Sequence, residues 1–135
     1  MKVLLLNPPA SRLYLRDYYC CSESKAGYLW HPIDLLIQSG ILSKSHQVFL
    51  IDGIAEKLSY KEALHKLEEI KPPVIFSLVG SLSYKDDINF LKTCKNKWNP
   101  LIICSGDVVL EEEPLEWVDA VLTNFLSDEL LLFIE

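Results

Sequence analysis

Basic residues are outnumbered in this chain, and no part of it forms a long apolar run. Among 135 residues there are 13 lysines and arginines against 19 aspartates and glutamates, a net charge of −6. Nucleic-acid-binding proteins are more often basic, so we expect no nucleic-acid partner. No segment reaches the ~18 apolar residues that a membrane span needs, and Pro8 and Pro9 interrupt the first apolar run, which argues against a signal peptide. We therefore expect a cytoplasmic protein with no membrane partner.

Cysteine is also scarce, and its spacing argues against two common kinds of site. The four cysteines are Cys20, Cys21, Cys94 and Cys104, too few for a disulfide scaffold at this length. None has the Cys-x2-Cys spacing of structural zinc sites. We therefore expect reduced thiols with mainly structural roles.

Apolar residues make up half of the chain, which is enough to build a core and argues against disorder. At this length the simplest organisation is one domain, residues 1–135. The final apolar run, residues 130–134, has no polar tail beyond Glu135. We therefore expect this domain to be the N-terminal part of a longer protein.

Five apolar segments predict strands buried on both faces, because each is continuous rather than alternating. They are residues 2–6, 47–51, 74–78, 101–104 and 118–122. Alternating strands and helices predict a parallel sheet with helices on both faces and right-handed crossovers. We expect a three-layer flavodoxin-like, or Rossmann-like, domain with the strand order 2-1-3-4-5. Ligands of such folds bind at the carboxyl ends of the strands, where the order reverses.

Helical patterns lie between these strands. Pro32 can begin the first helix, and Ser59 with Glu62 has the spacing of a capping box. Ser83 and Ser127 can cap two later helices. Residues 111–114 predict only a weakly helical or irregular link.

The first strand ends in Asn7, Pro8 and Pro9. Proline lacks an amide donor and disfavours helix in the residue before it. The two prolines therefore end the strand and keep the next loop extended at the mouth of the crevice. Asn7 can offer its amide to a ligand there; the alternative is that it only caps a turn.

The next segment, residues 10–31, is long for a loop at this position and rich in aromatic residues. It contains Tyr14, Tyr18, Tyr19, Tyr28 and Trp30. Aromatic faces cover a large area at low entropic cost, so the segment predicts a lid over a large flat ligand. The alternative is a surface that packs against a further domain.

Small, hydroxyl and acidic residues follow the other strands: Asp52, Ser77, Gly80, Ser81, Ser105 and Gly106. Small residues let a ligand approach the backbone closely. The stretch 77–83 could hold a nucleotide-like tail between a strand and a helix. The alternative is ordinary turn and capping chemistry.

Taken in order, these motifs resemble the N-terminal cobalamin-binding domain of radical S-adenosylmethionine enzymes. The resemblance is carried by KVLLLNPP at 2–9, HPIDLL at 31–36, VFLIDG at 48–53, KPPVIFS at 71–77, SGD at 105–107 and VDAVL at 118–122. It covers nearly the whole chain. Each motif alone is weak, and their order and spacing carry the resemblance.

The resemblance implies a cobalamin cofactor held by Asn7, Pro8, Pro9, Asp52, Ser77, Gly80, Ser81, Ser105, Gly106 and Glu129. It also implies that S-adenosylmethionine and a 4Fe-4S cluster bind only in a downstream catalytic barrel, because the Cys-x3-Cys-x2-Cys motif is absent here. The Asp-x-His-x-x-Gly motif is absent too, so no motif supplies a lower histidine to cobalt. This chain alone would then be non-catalytic, and the full-length protein a methyltransferase or related enzyme.

Two departures favour an alternative function. Ser105 stands where the family has the first glycine of a pair, and only Glu129 remains of its Gly-Glu-Gly-Glu segment. The alternative is a degenerate domain that has lost the cofactor and serves as an interdomain or protein-interaction module. A receiver or flavin-binding domain fits less well, because the first strand ends in Asn-Pro-Pro instead of paired acids or a phosphate loop.

The apolar C-terminal run and the aromatic loop also predict how the isolated chain behaves. Exposed apolar patches promote association. We expect the chain to self-associate or to hold residues 14–30 poorly ordered. We also expect no turnover with S-adenosylmethionine.

Overall fold

The structure, a computed structural model, describes residues 1–110 and 116–135. Its strands are β1 (Lys2–Asn7), β2 (Tyr14–Arg16), β3 (Cys21–Glu23), β4 (Gln47–Asp52), β5 (Val74–Leu78), β6 (Leu101–Ser105) and β7 (Ala120–Val121). Its helices are α1 (Ile33–Leu42), α2 (Tyr60–Ile70), α3 (Tyr84–Trp98) and α4 (Glu129–Ile134), with a 3-10 turn at Asp107–Leu110. The predicted link at 111–114 lies outside the described residues.

Five of these strands form one parallel sheet in the order β4-β1-β5-β6-β7, and β2 pairs with β3 as a separate antiparallel hairpin. Numbered along the chain, the order is therefore 4-1-5-6-7 and not 2-1-3-4-5, because the sequence did not predict the two hairpin strands. β1 lies inside the sheet between β4 and β5. The α/β architecture is compatible with a Rossmann-like fold.

Helices cover both faces of the sheet, as its continuous apolar strands require. The edge strand β4 is an exception to the predicted burial, because it is only partly buried and Leu50 is 42 % exposed. On one face, Leu4, Leu6 and Ile75 pack in a cluster with residues of α2 and α3, including Leu67 and Leu91. On the other face, Val3, Leu5 and Phe76 pack with residues of α1 and α4. The prediction of helices on both faces is confirmed.

Local signals in the sequence explain where the helices begin. At α2 the Ser59 side chain accepts from the Glu62 N–H, and the Glu62 carboxylate accepts from the Ser59 N–H, which completes the predicted capping box. Ser83 precedes α3, but its side chain makes no capping bond because it donates to Asp87 instead. The residue before α4 is Asp128, one residue later than the predicted cap at Ser127. Within residues 1–110 and 116–135, no helix combines the length and apolar character needed to cross a bilayer.

Candidate functional site: the crevice at the carboxyl edge of the sheet

The carboxyl ends of β1, β4 and β5 meet at one edge of the sheet. Parallel register places Asn7 beside Asp52 and Leu6 beside Ser77. The Asn7 side-chain N–H donates to Asp52 Oδ1 at 2.9 Å. From β1 the chain passes first to β4 on one side and later to β5 on the other, so the strand order reverses at β1. Ligands of such sheets bind at this point, at the carboxyl ends of the strands.

An arginine of the hairpin fills this crevice. Arg16, at the end of β2, is 2 % exposed. Its Nη2 donates to Asp87 Oδ1 at 2.6 Å, and its Nε lies 3.1 Å from Asp87 Oδ2 and 2.9 Å from Ser83 Oγ. Its Nη1 donates to Asn7 Oδ1 and to the Pro8 carbonyl, both at 3.0 Å. The guanidinium therefore joins the end of β1 to the first turn of α3.

Asp87 is itself fully buried and held by further donors. The Gly80 N–H and the Ser83 hydroxyl both donate to Asp87 Oδ2, at 2.9 and 2.6 Å. Burial raises the pKa of Asp87, while Arg16 and these hydrogen bonds act in the opposite direction. A buried carboxylate of this kind needs a cationic partner, and Arg16 is that partner.

The tip of the hairpin is fixed to the face of the sheet that α1 and α4 cover. Asp17 Oδ1 accepts from the N–H groups of Tyr19 and Cys20 and so closes the turn between β2 and β3. The Tyr18 N–H donates to Asp34 Oδ2 at 2.7 Å, and burial raises the pKa of this Asp34 carboxyl in the first turn of α1. The Tyr18 ring lies 6.0 Å from that of Phe125. Within residues 10–31, the segment predicted as a lid, residues 14–23 therefore form an anchored hairpin.

Glycines that could admit a ligand are approached closely by the chain itself. A Cβ at Gly80 would lie 2.4 Å from Cys21 Sγ, on β3 of the hairpin, and 2.6 Å from Ser83 Oγ. A Cβ at Gly106 would lie 2.3 Å from the Val79 carbonyl oxygen, and the φ of Gly106 is +115°. The sequence predicted that a ligand would approach the backbone closely at these two glycines. In the structure, the protein's own atoms lie at both positions.

The predicted serines differ in their surroundings. Ser77 is buried and donates to the Leu78 carbonyl, whereas Ser81 binds Asp107 through both its N–H and its hydroxyl, at 2.7 and 2.6 Å. Ser105 Oγ is buried and finds no hydrogen-bond partner among the described residues. Local structure therefore occupies Ser77 and Ser81, and only Ser105 keeps an unused hydroxyl.

The remaining predicted residues divide into two groups. Pro8 and Pro9 are buried beside the crevice, and the Pro8 carbonyl accepts from Arg16. Glu129 lies apart from them, exposed in the first turn of α4 beside the edge strand β7. In the part of the chain that the structure describes, no three His, Cys, Asp or Glu side chains are grouped so as to hold a metal ion.

Little space is left in the crevice. The cavity lined by Asn7, Arg16, Trp30 and Asp52 measures about 10 Å³, which is the room of a single water molecule. A larger cleft of about 390 Å³ lies outside it, between the loop after β1 and the first turns of α2 and α3, with Ser11, Tyr60 and Asp86 in its lining. With the hairpin in this position, the predicted residues do not fit a corrin ring and its nucleotide tail.

Sequence reasoning missed the two residues that dominate the site, Arg16 and Asp87. One signal for Asp87 was present, because it shares the inward stripe of α3 with Phe90, Leu91 and Cys94. A carboxylate in an apolar stripe calls for a buried cation. Nothing local pointed to Arg16 as that cation, since the pair is separated by 71 residues.

Comparison of the chain with protein-family models, with curated proteins and with solved structures finds no match in any of the three.

Proposed function

We propose that this chain is a Rossmann-like domain that has lost cobalamin binding and acts by contacting another protein or domain. The observation that carries the proposal is the insertion of Arg16 into the crevice, where it is 2 % exposed and bound to Asp87. A cofactor tail at this position would have to displace the hairpin. Removing the cation from a buried carboxylate costs several kcal/mol, so the closed crevice opposes cofactor entry.

Exposed apolar side chains supply a surface for the contact. Tyr28 and Trp30 pack edge to face with ring centres 6.3 Å apart, yet they are 65 % and 43 % exposed. Ile33 and Leu36 follow on one side of α1 and are 51 % and 39 % exposed. Large apolar side chains at the surface of one short segment are typical of interaction sites. We expect the partner of residues 28–36 to be a downstream domain of a longer protein.

The interaction surface is tested by the association state of the isolated chain. Without its partner, the 28–36 surface should drive concentration-dependent self-association, which sedimentation velocity measures. The double change Trp30→Ser and Leu36→Ser should weaken this association. Leu82→Ser is the control, because Leu82 is an even more exposed apolar residue, at 56 %, and lies outside residues 28–36. A wild-type chain that stays monomeric at high concentration would contradict this use of the surface.

The loss of the cofactor is tested separately by titration with hydroxocobalamin. We expect no change in the visible spectrum of the added cobalamin and no coloured protein after gel filtration. Stoichiometric uptake by the wild-type chain would contradict the proposal.

A second candidate is a cobalamin-binding module of a radical S-adenosylmethionine methyltransferase or related enzyme. It is favoured by one observation: the segments around Asn7, Gly80 and Gly106 end at the same edge of the sheet. It requires the hairpin to leave the crevice. On this account Arg16→Ala should bind hydroxocobalamin more tightly than the wild type, whereas the first proposal expects no binding by either.

A further inference from the structure

The acceptors around Arg16 form a cage that matches a guanidinium group. Asp87 accepts from both Nε and Nη2, and Ser83 Oγ also accepts from Nε. Asn7 Oδ1 and the Pro8 carbonyl accept from Nη1. A planar fork with several N–H donors fits such a cage, and a lysine ammonium, which is a point charge, does not. The Tyr14 ring adds an aromatic wall, with the guanidinium carbon 5.5 Å from its centre.

The cage is held in place by groups other than Arg16. The Gly80 N–H and the Ser83 hydroxyl orient Asp87. Asp52 orients Asn7 by accepting from its side-chain N–H. This contact turns the side-chain oxygen of Asn7, Oδ1, toward the Arg16 guanidinium. Ser83 Oγ also accepts from Arg16 Nε, but its bond to Asp87 and the other two contacts do not need the arginine. Removing the arginine side chain should therefore leave an acidic site with its acceptors aligned.

We infer that the crevice is a binding site for alkylguanidinium groups, which the chain fills with its own Arg16. Arg16 is then an internal ligand, and the hairpin is the segment that delivers it. A ligand of this class is either a small alkylguanidine or the arginine side chain of another peptide segment. Recognition of this kind depends on the acceptor cage alone and not on which partner meets the 28–36 surface.

The test replaces the arginine side chain and supplies its missing part in solution. Arg16→Ala keeps the Cβ, so N-ethylguanidinium restores the atoms that were removed. We expect N-ethylguanidinium at millimolar concentration to raise the Tm of Arg16→Ala saturably, by about 4–8 °C at ten times its Kd. The wild type should show no such rise, because its site is already filled.

Two controls separate recognition of the guanidinium from a general effect of salt. Propylammonium carries the same charge without the planar fork and should not stabilise Arg16→Ala. The double variant Arg16→Ala with Asp87→Asn lacks the charged acceptor and should lose the response to N-ethylguanidinium. Equal stabilisation by the two cations, or no stabilisation by N-ethylguanidinium, would overturn the inference.

The same experiment remains decisive if Arg16→Ala does not fold by itself. Its circular dichroism is then compared after refolding with and without N-ethylguanidinium, and recovery of the folded signal only with N-ethylguanidinium supports the site. No recovery overturns it. N-acetylarginine amide distinguishes the two sources of ligand, because its Cβ and backbone would overlap those of residue 16. Stabilisation by it as well indicates that the hairpin moves aside for an arginine side chain of another segment, and stabilisation by N-ethylguanidinium alone indicates a site for small alkylguanidines.

Discussion

Arg16 Nη2 and Asp87 Oδ1 lie 2.6 Å apart in the interior of the protein, although 71 residues separate them in the chain. Both side chains are fully buried. This ion pair fixes the hairpin formed by β2 and β3 over the carboxyl edge of the parallel sheet. The crevice in which Rossmann-like folds bind ligands is thereby closed by the chain itself.

Breaking this ion pair should destabilise the protein strongly. Asp87→Ala leaves the Arg16 guanidinium buried without a counter-charge, so we expect a loss of about 3–5 kcal/mol in the free energy of unfolding. Urea unfolding followed by circular dichroism measures it. The control is Arg12→Ala, which removes the exposed Arg12–Glu23 pair of the same hairpin and should change stability little. A similar small loss for Asp87→Ala would show that the buried pair does not hold the hairpin.

Two glycines should respond in opposite directions to alanine. Gly106 has a φ of +115° and no room for a Cβ beside the Val79 carbonyl, so Gly106→Ala should cost at least about 1–3 kcal/mol. Gly40 lies in α1, where a Cβ would meet no neighbouring group within 4 Å, so Gly40→Ala should stabilise by about 0.5–1 kcal/mol. Thermal unfolding measures both. Stabilisation by Gly106→Ala would contradict the tight turn after β6.

The four thiols should differ widely in reactivity toward a disulfide reagent at about pH 8. Cys20 is exposed at the hairpin turn and should react first. Cys21 should react slowly, because it is half-buried against Gly80 and Ser83 and burial raises its pKa. Burial also raises the pKa of Cys94 to about 12 and that of Cys104 further, so both should react only after unfolding. Rapid reaction of Cys21 would mean that the hairpin opens readily.

The capping box of α2 should make stability depend on pH. The Glu62 carboxylate accepts from the Ser59 N–H, which lowers the pKa of Glu62. A carboxyl group with a lowered pKa in the folded state stabilises the protein above its unfolded pKa of about 4.5, and the contribution is lost as the pH falls through the folded value. Glu62→Gln should therefore lower the Tm at neutral pH and match the wild type in acid.

The control for this pH dependence is Glu69→Gln in the last turn of the same helix. Glu69 accepts from no backbone N–H among the described residues, and its contact with His65, at 3.7 Å between two exposed side chains, contributes little. Its change should therefore not lower the Tm at neutral pH. Thermal unfolding between about pH 3 and pH 7 compares the three proteins. A Tm difference between the wild type and Glu62→Gln that is constant over this range would contradict the ionic role of Glu62.

The parallel sheet could be predicted because its strands are continuous apolar runs such as Val74–Leu78. The hairpin could not, because β2 and β3 have only three residues each and β2 ends in the charged Arg16. A buried arginine is unusual, and its burial depends on Asp87, which comes from a distant helix. The same long-range pair explains why the crevice around Asn7 and Gly80 was predicted to hold a ligand under a lid, although the hairpin fills it with Arg16.

The most direct test of the closed crevice is the side-chain NMR signal of Arg16. The chain has two arginines, Arg12 and Arg16. Arg12 is exposed just before the hairpin and pairs with Glu23, so it serves as an internal control. We predict an Arg16 Nε–H resonance that exchanges with water much more slowly than that of Arg12 and that shows contacts to Ser83 and Asp87. Equally fast exchange of the two Nε–H groups, with no contact between Arg16 and α3, would contradict the closure of the crevice by Arg16.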